Sequence, residues 1–209
     1  STDSTKFLLR KFNDPRIHII TQVNQGLSAA LNVGLSRCST EIIIRMDADD
    51  VAYSDRIEKL LEFWKENDRP DVLGSDADYI DMYGCYLWSK KVPCESKTIN
   101  MQLESGIGMP LIHPSILFKK SVVTANGGYD ESFRQGAEDF DLWLRLSNNY
   151  KLMNIGESLI KYRLTDSQIT ASSGGKGGPW VRLLALQKKY LVDNNMENVW
   201  ETDRSKLCL

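Results

Sequence analysis

Apolar and polar positions alternate in two different rhythms along the first third of the chain. Residues 5–12 place Phe7, Leu8 and Phe12 on one side, behind Asp3 or Ser4 as a cap, and predict a short helix. Residues 16–23, RIHIITQV, are rich in β-branched side chains between Asp14-Pro15 and Asn24-Gln25-Gly26, and predict a strand. Residues 27–36 form a small-residue helix with Leu27, Ala30, Leu31 and Leu35 inward, and residues 41–46 a strand apolar almost throughout. A helix follows from Ser54 or Asp55 to about 67, with Ile57, Leu60, Leu61 and Trp64 at i, i+3, i+4 and i+7. Helix and strand in alternation predict an α/β domain with a largely parallel sheet.

The rhythm shortens afterwards. Residues 71–80 predict a strand, 81–84 a turn, and 85–88 a strand returning as a hairpin. A short helix over 97–104 precedes the loop GIGMP and a strand at 115–118. Residues 119–126 predict a helix stopped by Gly127-Gly128. Residues 139–149 predict another, with Phe140, Trp143, Leu144 and Leu146 buried, and 152–155 and 159–162 two short strands. SSGGKGGP, 172–179, reads as a flexible loop before an amphipathic helix over 180–193.

Composition narrows the function. The chain has 209 residues and a net charge of −2, enough for one sizeable core and without the basic excess of a nucleic-acid binder. No apolar run approaches the roughly 18 residues of a membrane span. Cys38, Cys85, Cys94 and Cys208 lack paired spacing, which predicts reduced thiols in a reducing compartment. Two histidines, His18 and His113, leave little material for a His-rich metal site.

Against that background the stretch RMDADD, 45–50, stands out, because three carboxylates follow an apolar strand where α/β sheets bind ligands. Asp47 and Asp49 are two apart, so in an extended segment both carboxylates face one side. A cation would join them, and hard oxygen ligands suit Mg²⁺ or Mn²⁺ together with substrate phosphates. Asp50 reads as a turn or capping residue. A calcium loop is rejected, because Val51 and Ala52 stand where that loop needs an oxygen ligand and a glycine.

The second acidic stretch is GAEDFDLWLR, 136–145. Carboxylates in a first helical turn are favoured by the helix dipole, and Asp141 with Arg145 makes an ordinary i, i+4 pair. The chemical reading makes one of the carboxylates a general base, kept ionised by the helix N-terminus. The Gly-rich segment around Lys176 is no phosphate-binding P-loop, lacking GxxxxGK[ST]; it reads as a mobile loop or a lid. His113 in IHPS reads first as a satisfied, partly buried histidine.

In chain order, NQGLSAALNVGL, MDADD with SDRI, HPSILFKKSVV with GGYDESF, AEDFDLWLRL and YRLTDSQIT together resemble the glycosyltransferase family 2 enzymes of the GT-A fold. The resemblance implies an α/β, Rossmann-like, mostly parallel sheet flanked by helices, and covers about residues 1–170. It implies an inverting, metal-dependent transfer of a sugar from a nucleotide donor, most simply a UDP-sugar, to a glycan or lipid-linked acceptor in bacterial polysaccharide synthesis. Carried over by position, Asp49 would bind Mn²⁺ or Mg²⁺ on the donor diphosphate. Asp47, with Asn24 and Gly26 nearby, would contact the nucleotide. Asp139 would be the base that activates the acceptor hydroxyl, and Glu138 would orient the acceptor. The place of work would be cytoplasmic, at the inner face of the membrane.

There are departures. Arg163 is followed by Leu164 and Thr165, so the histidine that many members carry after this segment is absent; Leu31 stands before Asn32 where many carry arginine; and no QxxRW motif points to a processive synthase. STDST is similar to the end of the family's DDGSTD loop, so the expected chain is an N-terminal truncation without the first βαβ part, roughly 30–45 residues. Such a fragment would expose a sheet edge and self-associate. The expected organisation is one domain: 1–70 the remainder of a nucleotide-binding half, 71–170 an acceptor half, 171–209 the loop and last helix. Two other classes stay open, a sugar nucleotidyltransferase and a non-catalytic nucleotide-sugar-binding or scaffolding domain.

Overall fold

In the computed structural model residues 3–106, 108–133 and 136–165 are described. In chain order these form α1 (Thr5–Leu9), α2 (Leu27–Arg37), β1 (Ile42–Ile44), β2 (Val51–Ala52), α3 (Arg56–Glu66), β3 (Val72–Ile80) and β4 (Tyr86–Lys90). Next come α4 (Ser96–Ser105), a 3₁₀ turn (His113–Ser115), β5 (Leu117–Lys119), α5 (Lys120–Ala125), α6 (Glu138–Leu146) and β6 (Leu152–Arg163). The sheet order is β1-β5-β3-β6-β2; β4 pairs residues 77–80 of β3, beyond the short pairing of β5 with residues 72–73.

The class is α/β as expected, but the sheet is mixed rather than mostly parallel. Among the described residues only β3 and β6 pair in parallel; β1–β5, β5–β3, β4–β3 and β6–β2 are antiparallel. The cause is the connections. Parallel pairing needs a long crossover, supplied between β3 and β6 by α4, α5 and α6. The β3–β4 connection is a tight turn, in which Asp81 Oδ1 accepts the N–H groups of Tyr83 and Cys85 at 2.9 and 2.8 Å.

Residues 16–23 form no strand. Their β-branched side chains favour one, but a strand needs a bonded neighbour, and Ile17, Ile19, Ile20 and Val23 stand 45–80% exposed. Among the described residues β1 is paired along one edge, to β5. In α2 the inward face is Ser28, Ala29 and Leu35 while Ala30 is exposed, because Ser28 Oγ donates to Phe133 O. In α3 Leu60 is buried as expected, but Ile57 is exposed and Arg56 is buried in its place. The two late strands are one, β6, with residues 156–157 bulging where the register against β3 shifts. The predicted loop at 172–179 and helix at 180–193 lie outside the described residues.

One core cluster packs α4 and α6 against the sheet through Ile99, Leu103, Phe140, Leu142, Trp143 and Leu146. A second packs α3 on the opposite face through Leu60, Leu73 and Leu117. Each fully buried side chain of this kind contributes roughly 1.5–3 kcal/mol. Gly74 leaves room for a close neighbour: Asn154 lies across it and donates from Nδ2 to Pro93 O and Pro110 O at 2.6 and 2.8 Å. Cys38, Cys85 and Cys94 are free thiols. No helix among the described residues is long and apolar enough to cross a membrane.

Candidate active site

The acidic loop 45–50 leaves the end of β1 over a buried arginine. Arg45 is 8% exposed, its N–H bonds Ile116 O at 2.9 Å, and its guanidinium grips Asp47 with two contacts of 2.6 and 2.5 Å. Beneath it, Arg56 donates to Arg45 O and Pro114 O, each at 2.8 Å. Burial pulls Arg56 down to about 10, against the attraction of Asp50.

The three aspartates have separate situations. The backbone turns at residues 48–49, so the extended geometry that would aim Asp47 and Asp49 together is absent. Asp47 faces Arg45, whereas Asp49 is exposed. Asp50 does not cap α3, whose N-cap is Asp55. It is buried and its Oδ1 accepts the N–H of Arg163 from the end of β6 at 2.9 Å. Burial pushes Asp50 up to about 6, and the charges of Asp47 and Asp49 add to the rise. Arg163 secures the loop from outside, donating Nε to Asp49 O at 2.8 Å and Nη1 to Asp81 O and Met82 O at 3.1 Å. A side chain that sequence reading noted for the histidine missing after it thus ties the acidic loop to the β3–β4 turn.

The other acidic stretch opens α6 one residue earlier than expected, at Glu138. Ala137 precedes it with φ 74°, a left-handed conformation that costs a non-glycine residue roughly 1–2 kcal/mol. Such strain is found where surrounding structure enforces it, and here it turns the first helical residues inward. Glu138 is 4% exposed and Asp139 half-buried. Burial, then the neighbouring Asp139 charge, pushes Glu138 up to about 7. Burial also raises Asp139, against the N–H of Phe140 on its Oδ1 at 2.8 Å and the nearby charge of Arg45. Desolvation is thus the larger effect on this carboxylate, and the N–H of Phe140 and the Arg45 charge, which favour its ionised form, are the smaller ones. Asp141 makes the ordinary pair with Arg145, which also donates to Gly128 O at 2.8 Å.

His113 is a buried, hydrogen-bonded histidine, as the sequence suggests, and it lies beside this group. Its Nδ1 lies 3.9 Å from both Glu138 Oε1 and Asp139 Oδ2, and its Nε2 is hydrogen-bonded to Tyr129 Oη at 3.0 Å. Burial and the Arg45 charge hold it well below its ordinary value, so the ring is neutral. Lys90 of β4, lowered by burial, is within electrostatic reach of Asp139, and Asp47 is within reach of Glu138 and Asp139. Arg45 Nε, Asp50 Oδ2, Glu138 Oε2 and Trp143 Nε1 are buried without a hydrogen-bond partner among the described residues. Each costs about 1–3 kcal/mol if left unpaired, and a bound polar ligand would supply partners.

Asn24 is exposed and its Oδ1 accepts the N–H of Gly26 at 3.0 Å, while Gly26 opens α2. Asn32 of that helix exchanges hydrogen bonds with the backbone of Tyr129 at 2.8 and 2.9 Å, which links α2 to the His113 group. Sequence reading missed Arg45, Tyr129 and Lys90. Arg45 carried a signal, a cation two residues before Asp47; Tyr129 and Lys90 carried none, because only the fold brings them here. Among the described residues no group of three or more His, Cys, Asp or Glu side chains could hold a metal. Asp49, exposed on a secured backbone, fits instead the arrangement in which one or two carboxylates share a cation with substrate phosphates.

Comparison with known proteins bears on both acidic stretches. The family described as glycosyl transferase family 2 matches over residues 1–124, more than half of the chain. An O-antigen biosynthesis glycosyltransferase, WbnJ of Escherichia coli, is 34% identical over 163 residues, 77% of this chain and 62% of that protein. A UDP-Gal:alpha-D-GlcNAc-diphosphoundecaprenol beta-1,3-galactosyltransferase of Escherichia coli is 32% identical over 155 residues, 73% of this chain and 54% of that protein. The chain thus spans little more than half the length of these curated relatives. The crystal structure of S. aureus TarS 1-349 in complex with UDP-GlcNAc shares the fold, with a TM-score of 0.67 at 15% identity over 92% of this chain and 55% of that one.

Proposed function

Because the chain belongs to glycosyl transferase family 2, we propose that the protein transfers a sugar, with inversion, from a nucleotide-sugar donor to a hydroxyl of a glycan or lipid-linked acceptor. The observation that carries this reading is the convergence of two acidic motifs, distant in sequence, on one buried arginine: Arg45 grips Asp47 and its charge acts on Glu138 and Asp139. The UDP-sugar as donor, and a lipid-linked acceptor met at the cytoplasmic face of the membrane, take support from the named substrates of the galactosyltransferase relative.

Asp49 would hold a divalent cation, Mn²⁺ or Mg²⁺, whose charge would offset that building on the departing diphosphate. Asp47, oriented by Arg45, faces the nucleotide side. Asp139 takes the proton of the acceptor hydroxyl as that oxygen bonds to the anomeric carbon and the bond to the diphosphate breaks. Burial suits Asp139 to this role, because a base whose affinity for protons is raised toward the working pH removes one more effectively. Glu138, with one oxygen unpartnered, positions the acceptor.

The test is calorimetry of the full-length protein with UDP in the presence and absence of Mn²⁺, followed by a screen of UDP-sugars. Metal-dependent UDP binding that Asp49→Ala abolishes is the expected result. Absence of nucleotide binding by the full-length protein contradicts the reading and favours a scaffolding role.

A further inference from the structure

Three aromatic side chains lie in one row across the sheet. The register pairs Trp88 of β4 with Tyr79 of β3, and Tyr79 with Tyr162 of β6, so all three project from the same face. The rings are stacked: Trp88 on Tyr79 at 5.1 Å and 13°, and Tyr79 on Tyr162 at 4.9 Å and 27°. The row is graded in exposure, with Tyr79 and Tyr162 partly buried against Ala77, Ile112 and Ile160, and Trp88 49% exposed on β4.

Its position relates it to the active site at both ends. Tyr162 precedes the arginine that secures the acidic loop, and all three carboxylates of that loop act on it electrostatically. Lys90 is two residues from Trp88 on the same strand, hence on the same face, and is the lysine within reach of Asp139. Ile112, beneath the row, leads directly into His113. Strand β4 thus carries both the lysine whose charge acts on Asp139 and the exposed ring of Trp88. Tyr79 is covered on both faces by its neighbours, whereas Trp88 ends the stack and is half exposed, and an aromatic face there complements a pyranose: the ring's C–H face packs on the aromatic face while its hydroxyls stay at the edge.

We propose that Trp88, backed by Tyr79 and Tyr162, is a stacking subsite for a pyranose ring of the acceptor. The proposal rests on the glycosyltransferase reading for its location, and on the stacked row for its chemistry. Trp88 acts as a binding residue there and takes no part in proton transfer.

The experiment is saturation-transfer NMR on the full-length protein with methyl α-glycosides of N-acetylglucosamine, N-acetylgalactosamine, glucose and galactose, beside UDP calorimetry on the same samples. For at least one glycoside, Trp88→Ala is expected to weaken binding on the order of tenfold, the loss of one aromatic face. Trp88→Phe should retain part of it, and UDP affinity should not change in either variant. Glycoside binding that is undetectable in the wild type, or equal in wild type and Trp88→Ala, overturns the subsite and leaves the donor reading intact. Loss of binding to vesicles of anionic phospholipid in Trp88→Ala, with glycoside binding unaltered, overturns it in favour of a lipid surface. A wild type that binds glycosides through Trp88 but fails to bind UDP supports the subsite while refuting the glycosyltransferase reading.

Discussion

Glu138→Gln keeps the shape of a buried side chain and removes its charge. The carboxyl is 4% exposed, one of its oxygens lacks a partner, and it is pushed up to about 7 from an ordinary 4.5. A group that holds its proton more tightly when folded contributes stability that is complete below the unfolded value and is lost as pH rises through the folded one. At 1.36 kcal/mol per unit, ionising Glu138 costs the fold about 3 kcal/mol at pH 8 and under about 1 kcal/mol at pH 5. His113 has the opposite sign, because burial holds it below 6.5 and its contribution is lost as pH falls. The two slopes oppose each other between pH 4.5 and 6.5, so the informative quantity is the difference between variant and wild type. Urea denaturation followed by tryptophan fluorescence should show a stability gain in Glu138→Gln that grows from small at pH 5 to about 1–3 kcal/mol at pH 8. A gain independent of pH, or a loss at pH 8, refutes the claim that this carboxylate is ionised at the expense of the fold.

Arg163→Ala keeps the backbone N–H that bonds Asp50 but removes the donors to Asp49 O, Asp81 O and Met82 O. It should lower UDP affinity about tenfold in calorimetry, with a stability loss of about 1–2 kcal/mol. Unaltered affinity would detach the acidic loop from donor binding. Gly74→Ala puts a Cβ 2.2 Å from Asn154 Oδ1 and 2.9 Å from Ile116 Cδ1. Displacing the Asn154 amide breaks its bonds to two proline carbonyls, and the denaturation midpoint should register a loss of at least about 2 kcal/mol.

The local pattern was most legible where one residue's neighbours in sequence are also its neighbours in space. The α6 face of Phe140, Trp143, Leu144 and Leu146, the β3–β4 hairpin and the Gly127-Gly128 stop all follow from short-range spacing. Pairing direction was not legible, because an apolar strand such as 42–44 suits a parallel or an antiparallel neighbour equally, and β5 happens to supply the latter. Residues 16–23 show the same limit from the other side: strand propensity without a neighbouring strand leaves an exposed segment outside the sheet. In the site, the acidic residues announced themselves by crowding. Of the partners that separate their roles, Arg45 carried a signal in its spacing from Asp47, whereas Tyr129 and Lys90 reach the site only through the fold. Asp50 was misjudged as a cap because its partner, Arg163, comes from the far end of the described chain.

The most direct test of the account is Asp139→Asn in the full-length protein, with sugar transfer and UDP binding measured side by side. The account predicts that transfer falls by about 10²–10⁴ while UDP affinity stays within about twofold of wild type, because the substitution removes a base and leaves the donor side untouched. Transfer within about tenfold of wild type would contradict it and place the base elsewhere.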